Sequence, residues 1–183
     1  MSKKSSQVII LCEDTQQEVF VRRFLKTHRA VERHTIRVIK NPSGKGAGEH
    51  FVREHFPLEL KALRQRAAKT ELIVVIDADT STVSQIMNKL ERACCTHKID
   101  YLDKNERVAL IIPRRNIETW ITYLNGQSIN EETAYPKLQK ESDCQTAITQ
   151  LSTLCDAQTA PENFPDSLRM ACHEYTKVAQ HAQ

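Results

Sequence analysis

The feature that most constrains this chain is an apolar segment that ends in two acidic residues. Leu72 to Ile76 is an unbroken run rich in β-branched side chains, and Asp77 and Asp79 follow it directly. A short run of this kind is typical of a strand buried on both faces, as in parallel sheets. Ligands of open parallel α/β sheets bind just beyond the carboxyl ends of the strands. The pattern therefore predicts an α/β fold with both aspartates at the ligand-binding edge.

The chemistry of these two carboxylates suits a hard divalent cation. Mg²⁺ binds proteins through one or two carboxylates and keeps several waters for a phosphate substrate. Asp77 and Asp79 are therefore candidate ligands of Mg²⁺ or Mn²⁺. A second interpretation needs no metal: Asp79 or Thr80 would cap the helix that begins near Val83, as Asp and Thr often do.

A second apolar strand also ends in acidic residues. Ser6 to Cys12 is followed by Glu13 and Asp14, and Thr15 and Glu18 then form a capping-box pattern. If the two strands are neighbours, Glu13 lies at the same sheet edge as the two aspartates. The alternative is that these acids only complement the dipole at an ordinary helix N-terminus.

Two further strands complete an alternating pattern of strands and helices. They are predicted at Arg33–Lys40 and Arg107–Ile112. Four strands separated by helices predict an open, mainly parallel, Rossmann-like sheet with right-handed crossovers. From about residue 130 the pattern is helical only. We therefore expect an α/β domain over residues 1–128 and a helical C-terminal extension over residues 129–183 that packs on it.

The two acidic segments together resemble a TOPRIM domain. Members of that family have a Glu at the end of the first strand and an Asp-x-Asp after a later one, as in Leu11–Thr15 and Val75–Thr80 here. The segment Ile112–Trp120 is similar to the "Pro, then Glu-x-Trp" element of the RloB-like branch, found near restriction and phage-defence systems. The Cys-Glu pair before the first helix is also typical of that branch. The resemblance covers roughly the first 125 residues.

The resemblance implies a metal-dependent nuclease that hydrolyses DNA or RNA. Asp77 and Asp79 would bind Mg²⁺ or Mn²⁺, with Glu13 completing the metal site or acting as a general base. The family usually has Gly where this chain has Asp14, so either the turn differs or Asp14 joins the acidic cluster. The chain contains neither the tyrosine-bearing domain of topoisomerases nor the zinc module of primases, which leaves nucleic-acid cleavage as the simplest TOPRIM activity.

Basic residues follow the fourth strand. Arg114 and Arg115 stand just beyond it and are candidates for binding substrate phosphate, because guanidinium groups make paired contacts with phosphate oxygens. The alternative is that they neutralise the acidic cluster. Glu118 is a candidate catalytic residue, as a further metal ligand or a water-positioning group. It could equally pair with Arg115 or Lys137 and only stabilise the fold.

The loop Asn41–Gly48 contains three of the four glycines of the chain. It lacks the spacing of a P-loop, but its backbone N–H groups and Lys45 could approach a phosphate. The alternative is a plain connection between a strand and a helix.

Three other functions remain open. The Asp-x-Asp motif also resembles that of haloacid-dehalogenase-type phosphatases, in which Asp77 would be the nucleophile. The chain could be a catalytically weak binding or regulatory subunit with a separate ATPase partner, since OLD-type nucleases couple TOPRIM to an ATPase and no Walker motif is present. It could also be an RNA-processing enzyme similar to the TOPRIM maturase of 5S ribosomal RNA.

The composition is that of an ordinary globular protein. The chain has 183 residues, 40% of them hydrophobic, and a formal net charge of +3, which permits a polyanionic partner without requiring one. No segment is apolar enough to span a membrane, and Met1–Ser6 lacks the apolar core of a signal peptide. We therefore expect a cytoplasmic protein that does not enter membranes, and we leave a homo-oligomer open.

The six cysteines form no Cys-x-x-Cys pair. Neither a zinc ribbon nor thioredoxin chemistry is therefore indicated. For a cytoplasmic protein the pattern predicts free thiols.

Overall fold

The computed structural model of the protein describes residues 7–43, 45–66, 69–157 and 161–180. The predicted absence of a signal peptide concerns residues 1–6, which lie outside these ranges. No helix in the described ranges is long and apolar enough to cross a membrane. The strands are β1 (Gln7–Cys12), β2 (Ile36–Lys40), β3 (Thr70–Val75) and β4 (Val108–Ile111), and the helices are α1 (Thr15–Arg29), α2 (Gly48–Gln65), α3 (Val83–Thr96), α4 (Ile117–Leu124), α5 (Gln145–Asp156) and α6 (Asp166–Gln180).

The four strands form one sheet in the order β2-β1-β3-β4, and every pair is parallel. The predicted open α/β sheet flanked by helices is therefore confirmed. The chain moves from β1 to β2 in one direction, and from β3 to β4 in the other. The strand order therefore reverses between β1 and β3, and such a switch point is where ligands of open α/β sheets bind.

Helices cover both faces of the sheet. Alternate residues of each strand point to opposite faces, so Val8 and Ile10 belong to one core and Ile9 and Leu11 to the other. The first core is completed by α1, α4, α5 and α6, and the second by α2 and α3. This distribution is expected for right-handed crossovers, because the β1-to-β2 connection runs opposite to the other two.

The C-terminal helices are part of the core rather than an appendage. Ile148 and Leu151 of α5 and Leu168 of α6 are buried with the side chains of α1 and β1. The Trp120 indole, which is 1% exposed, donates a hydrogen bond of 2.8 Å to Ser167 at the start of α6. The described parts of α5 and α6 thus pack on the sheet and share its core.

Two local predictions are corrected by the structure. The cap of α1 is Asp14, whose Oδ1 accepts from the Gln17 amide, so the predicted capping box that begins at Thr15 is wrong. The cap of α3 is Thr82, which forms a capping box with Gln85. The alternative interpretation of Asp79 or Thr80 as the helix cap is therefore also wrong.

The prediction of free thiols is wrong for two of the cysteines. Cys155 of α5 and Cys172 of α6 form a disulfide that joins the two C-terminal helices. The chain offers no sequence signal for this pairing, because the two residues meet only when the helices pack together. Cys12, Cys94, Cys95 and Cys144 are free.

A buried ion pair joins α1 to the sheet. Glu71 lies in the central strand β3 and is 2% exposed, and both of its carboxylate oxygens accept from the Arg29 guanidinium, at 2.6 and 3.2 Å. The ring of Tyr175 in α6 lies 5.0 Å from the same guanidinium. Because a carboxylate buried in a strand is costly unless it is paired, this contact fixes the end of α1 against both β3 and α6.

We predict that Arg29→Met lowers the free energy of unfolding by about 3–5 kcal/mol, because it leaves the Glu71 carboxylate buried without its partner. Urea unfolding at pH 7 measures the loss. Arg53→Met is the matched control: Arg53 pairs with Glu49 and Glu54 on the surface of α2, so its loss costs less than about 1 kcal/mol. Equal effects of the two variants would show that the Arg29 pair is no more than a surface contact.

Candidate functional site

Glu13 and Asp77 meet at the switch point of the sheet. β1 and β3 are adjacent and parallel, with Gln7 opposite Thr70 and Leu11 opposite Val74. Both strands therefore end at the same edge of the sheet. There the Asp77 backbone N–H donates a hydrogen bond of 2.7 Å to Glu13 Oε1. The neighbouring strands that the sequence analysis required are thus present, and they bring these two acidic residues into contact.

Glu13 is held from three sides. Its backbone N–H donates to Gln17 Oε1 at 2.9 Å, and its carboxylate accepts from Asp77. Gly48, at the start of α2, packs so closely that a Cβ there would lie 2.6 Å from both Glu13 Cβ and Glu13 Oε2. Burial raises the pKa of the Glu13 carboxyl from 4.5 to about 7.

The Asp77 carboxyl is buried and incompletely satisfied. Its Oδ1 atom has no hydrogen-bond partner among the described residues. Burial, followed by the charges of Glu13 and Glu118, raises the pKa of Asp77 well above its ordinary value. The Gln17 side-chain amide lowers this pKa but does not reach hydrogen-bond geometry with the carboxyl.

Glu118 brings a third carboxyl to the same place. It lies in the first turn of α4, which Asn116 caps, and it is 3% exposed. Its Oε1 atom is buried and has no hydrogen-bond partner among the described residues. Burial raises the pKa of Glu118 as well. Among the described residues, Arg115 and Lys137 pair with Asp79 and Asp14 rather than with Glu118, although the charge of Lys137 lowers the Glu118 pKa.

Asp14 and Lys137 border these three carboxyl groups. The Asp14 carboxylate caps α1 through Oδ1 and pairs through Oδ2 with Lys137 Nζ at 2.8 Å. The hydrogen bond to Asp14 raises the pKa of Lys137, and the charges of Glu118 and Asp77 add to the effect. Lys137 therefore supplies part of the positive charge that the cluster needs, and Asp14 joins the cluster at its margin.

Asp79 lies apart from this cluster. Its backbone adopts a left-handed conformation with φ of 52°, and its side chain is 71% exposed. The carboxylate pairs with Arg115 Nη1 at 2.8 Å. The Asp-x-Asp motif therefore divides: Asp77 turns into the buried cluster, whereas Asp79 turns to the surface and meets a cation.

The three predicted phosphate-binding residues lie in different settings. Arg114 donates to the Ser81 carbonyl and lies 3.5 Å from Glu132, and Arg115 pairs with Asp79. Both arginines thus contact the loop that follows β3, and their acidic partners are surface carboxylates rather than the buried cluster. Lys45 is exposed in the loop before α2, where its backbone N–H donates to Pro42. Its neighbour Gly44 lies outside the described residues.

The residues present fit a hard cation chemically. Glu13, Asp77 and Glu118 supply oxygen donors, and the partnerless oxygens of Asp77 and Glu118 are buried atoms that a cation would satisfy. Among the residues that the structure describes, however, no three His, Cys, Asp or Glu side chains are grouped as a ready metal site. The donor set that fits best is thus centred on Asp77 and Glu118 rather than on Asp77 and Asp79.

Sequence reasoning missed two residues that shape the site. Gln17, whose side-chain oxygen accepts from the Glu13 backbone, lies in the first turn of α1 and gives no sequence signal of its own. Gly48 was placed in a glycine-rich loop and interpreted through phosphate binding, whereas its role in the structure is to leave room for Glu13. A glycine directly before a helix is the signal that could have indicated a close approach.

Comparisons of the chain with protein-family models, with curated proteins and with solved structures found no match.

We predict that, without metal, the free energy of unfolding of the wild type falls relative to that of Glu13→Gln as the pH rises. The native state raises the pKa of Glu13 from 4.5 to about 7, so it binds this proton more tightly than the unfolded chain does. The stabilisation is complete below pH 4.5 and is lost as the pH rises through 7. The difference between the two proteins should change by about 3 kcal/mol over this range, measured by urea unfolding in EDTA.

Glu106→Gln is the control for this prediction. The Arg64 guanidinium lowers the pKa of Glu106, so its contribution to stability is present above the unfolded-state pKa and lost as the pH falls. The two variants should therefore deviate from wild type in opposite directions. A pH-independent difference between Glu13→Gln and wild type would mean that Glu13 is not a buried acid.

We predict that Gly48→Ala displaces the Glu13 side chain and destabilises the protein by about 1–3 kcal/mol, because the added methyl group overlaps Glu13. The pH dependence ascribed to Glu13 should weaken with it. Gly46→Ala is the control. No atom lies within 4 Å of the added Cβ, so the only cost of this substitution is the backbone strain of an alanine at a φ of 66°. A Gly48 variant with the wild-type pH profile would contradict the close packing.

Proposed function

We propose that this chain is a Mg²⁺- or Mn²⁺-dependent nuclease whose metal binds at Asp77 and Glu118, with Glu13 beside them. The observation that supports it is the convergence of three buried carboxyl groups at the switch point of the sheet, two of which have oxygens without a partner. Burying acids together is costly, and such arrangements occur where a cation or a reaction uses them. The resemblance to TOPRIM proteins points to the same chemistry.

Each residue has a defined part in this proposal. Asp77 and Glu118 hold the cation, which when bound lowers the pKa of a water and offsets charge on the phosphodiester. Glu13 Oε1 remains bonded to the Asp77 backbone, so Glu13 fixes the end of β3. Its second oxygen, Oε2, is the atom that would accept a proton from the attacking water. Lys137 balances the acidic charge before the cation arrives.

Substrate phosphate would be held near this edge of the sheet. Lys45 remains the strongest of the three predicted phosphate-binding residues, because Arg114 and Arg115 are engaged by Glu132 and Asp79. The arginines would contribute if the substrate displaced those surface carboxylates.

The biological setting is proposed from the resemblance. A small RloB-like or OLD-type TOPRIM protein would act in phage defence in the cytoplasm, on DNA or RNA, with a separate ATPase partner and with homo-oligomers possible. An RNA-processing role as a maturase uses the same site and differs only in substrate, so a panel of DNA and structured RNA separates the two.

A second candidate is a catalytically weak binding or regulatory subunit. The observation that favours it is that two acidic residues near this edge already have cationic partners: Asp79 pairs with Arg115, and Asp14 pairs with Lys137. A phosphatase with Asp77 as nucleophile is the less favoured alternative, because the Asp77 carboxyl is buried beside Glu13 and Glu118 rather than open to a substrate.

We predict that saturating Mg²⁺ or Mn²⁺ raises the Tm of the wild type by about 5–10 °C, since a ligand at 100 times its Kd adds about 2.7 kcal/mol to the native state. Asp77→Asn and Glu118→Gln should abolish the rise while remaining folded without metal, because each removes a buried charge that repels its neighbours. Differential scanning calorimetry measures the effect, and cleavage of labelled DNA and RNA should be lost in the same variants.

Asp79→Asn is the matched control for the metal prediction. It removes a carboxylate two residues from Asp77 that faces Arg115 and solvent, so the metal-induced rise in Tm should persist. Loss of the rise in this variant too would restore Asp79 as a ligand. The same rise in Asp77→Asn as in the wild type would exclude the metal site and leave the binding subunit as the better proposal.

A further inference from the structure

A large basic groove lies along α1 toward its C-terminus, whereas the acidic cluster lies at its N-terminus. Its volume is about 800 Å³, and it runs between α1 and the segment that leads into the edge strand β2. Its apolar part is formed by Val19, Val31 and Ile36. Its charged residues are Arg22, Arg23, Lys26 and Arg33, against a single acidic residue, Glu32. The groove therefore concentrates positive charge in a chain whose formal net charge is only +3.

Most of these cations lack an acidic partner. Arg22 pairs with Glu18, but within the described ranges no carboxylate pairs with Arg23, Lys26 or Arg33. The Arg23 guanidinium donates a hydrogen bond of 2.6 Å to the neutral side-chain amide of Gln145. Unpaired guanidinium and ammonium groups around a concave surface are available to an anionic ligand.

A purely structural explanation covers only part of this charge. Lys26 lies in the last turn of α1, where the helix dipole favours cations whatever the function. Arg23 lies in the interior of the same helix, and Arg33 lies in the short 3-10 turn Arg33–Thr35 before β2. The dipole of α1 does not explain why residues from two separate elements place cations around one groove.

We propose that this groove binds the phosphodiester backbone of a nucleic-acid strand, and that the strand runs along α1 to the acidic edge of the sheet. Asp14, the cap of α1, lies at the acidic cluster, and Lys26 lies twelve residues further on. At 1.5 Å per residue they are about 18 Å apart, roughly the length of five nucleotides at 3.4 Å each. Lys40, at the end of β2, lies between them and contacts Thr15 and Glu18.

The groove chemistry selects the backbone rather than the bases. None of the described residues that line it is aromatic, so they offer no platform on which a base could stack. Arginine and lysine suit phosphate oxygens and carry no sequence information when they contact only phosphate. Binding should therefore be independent of sequence and steeply dependent on salt. The inference rests on the proposed nuclease function for its ligand class, but it concerns a surface separate from the metal site.

The test is a binding titration without metal. Fluorescence anisotropy with labelled single-stranded DNA, RNA and duplex DNA is measured in EDTA over a series of salt concentrations. The variant is Arg23→Gln/Lys26→Gln/Arg33→Gln. The control is Lys61→Gln/Arg92→Gln/Lys104→Gln, which removes the same charge from exposed positions outside the groove. Circular dichroism and urea unfolding establish that both variants are folded.

The groove variant should bind at least tenfold more weakly at 100 mM salt, and its slope of log K against log salt should fall by about 2–3, since each lost phosphate contact contributes about 0.7–0.9. The control should keep most of the affinity and slope. Equal losses in both variants, or no binding by the wild type, would overturn the proposal. Binding to anionic lipid vesicles but not to nucleic acid would overturn it in favour of a membrane surface.

Failure of the groove and failure of the nuclease are distinguishable. Binding in EDTA tests the groove alone, whereas the metal-induced rise in Tm tests the metal site alone, so the two readouts are independent. If the groove variant loses binding while the wild type shows no metal-induced rise in Tm, the groove stands and the metal site falls. If the groove variant binds as the wild type does while metal raises the Tm of the wild type, the groove proposal fails and the metal site stands.

Discussion

The hydrogen bond from the Asp77 backbone to the Glu13 carboxylate is the contact on which the site depends. It joins the ends of the two central strands at the place where the strand order reverses. The register of β1 and β3 fixes which residues meet there, so a slip of one residue would turn Glu13 toward the opposite face of the sheet. The close packing of Gly48 against Glu13 then fixes the start of α2 next to this contact.

This arrangement is unfavourable to folding by itself. Burial raises the pKa values of Glu13, Asp77 and Glu118, which means that the folded state disfavours their ionised forms. An apolar residue at Asp77 would satisfy the strand end at lower cost. The compensating contacts from Gln17 and Lys137 are partial, because one oxygen each of Asp77 and Glu118 has no hydrogen-bond partner among the described residues. Clusters of this kind are typical of functional sites, where proteins commonly give up stability for activity.

The sequence predicts the architecture well because hydrophobic runs and strand ends are local features. The positions of Glu13 and Asp77 follow from where the apolar runs stop, and their meeting follows once β1 and β3 are neighbours. The directions of side chains beyond the strand ends depend on loop backbone, which is not local. Asp79 turns outward because its backbone is left-handed and the Ser81 amide closes a turn onto Ala78. Neither this reversal nor the inward direction of Glu118 leaves a trace in residue spacing.

The helix α1 links the two regions of interest through its own electrostatics. Its N-terminus, with a positive dipole end, faces the acidic cluster and stabilises negative charge there, whether from Glu13 and Asp14 or from a phosphate. Its opposite half carries Arg23 and Lys26 into the basic groove. Because a helix of 15 residues packed on a sheet moves as one body, the distance between groove and cluster is fixed by covalent geometry. A strand bound in the groove would therefore approach the carboxyl groups at a constant offset, which is what cleavage at a set distance from a backbone-binding surface requires.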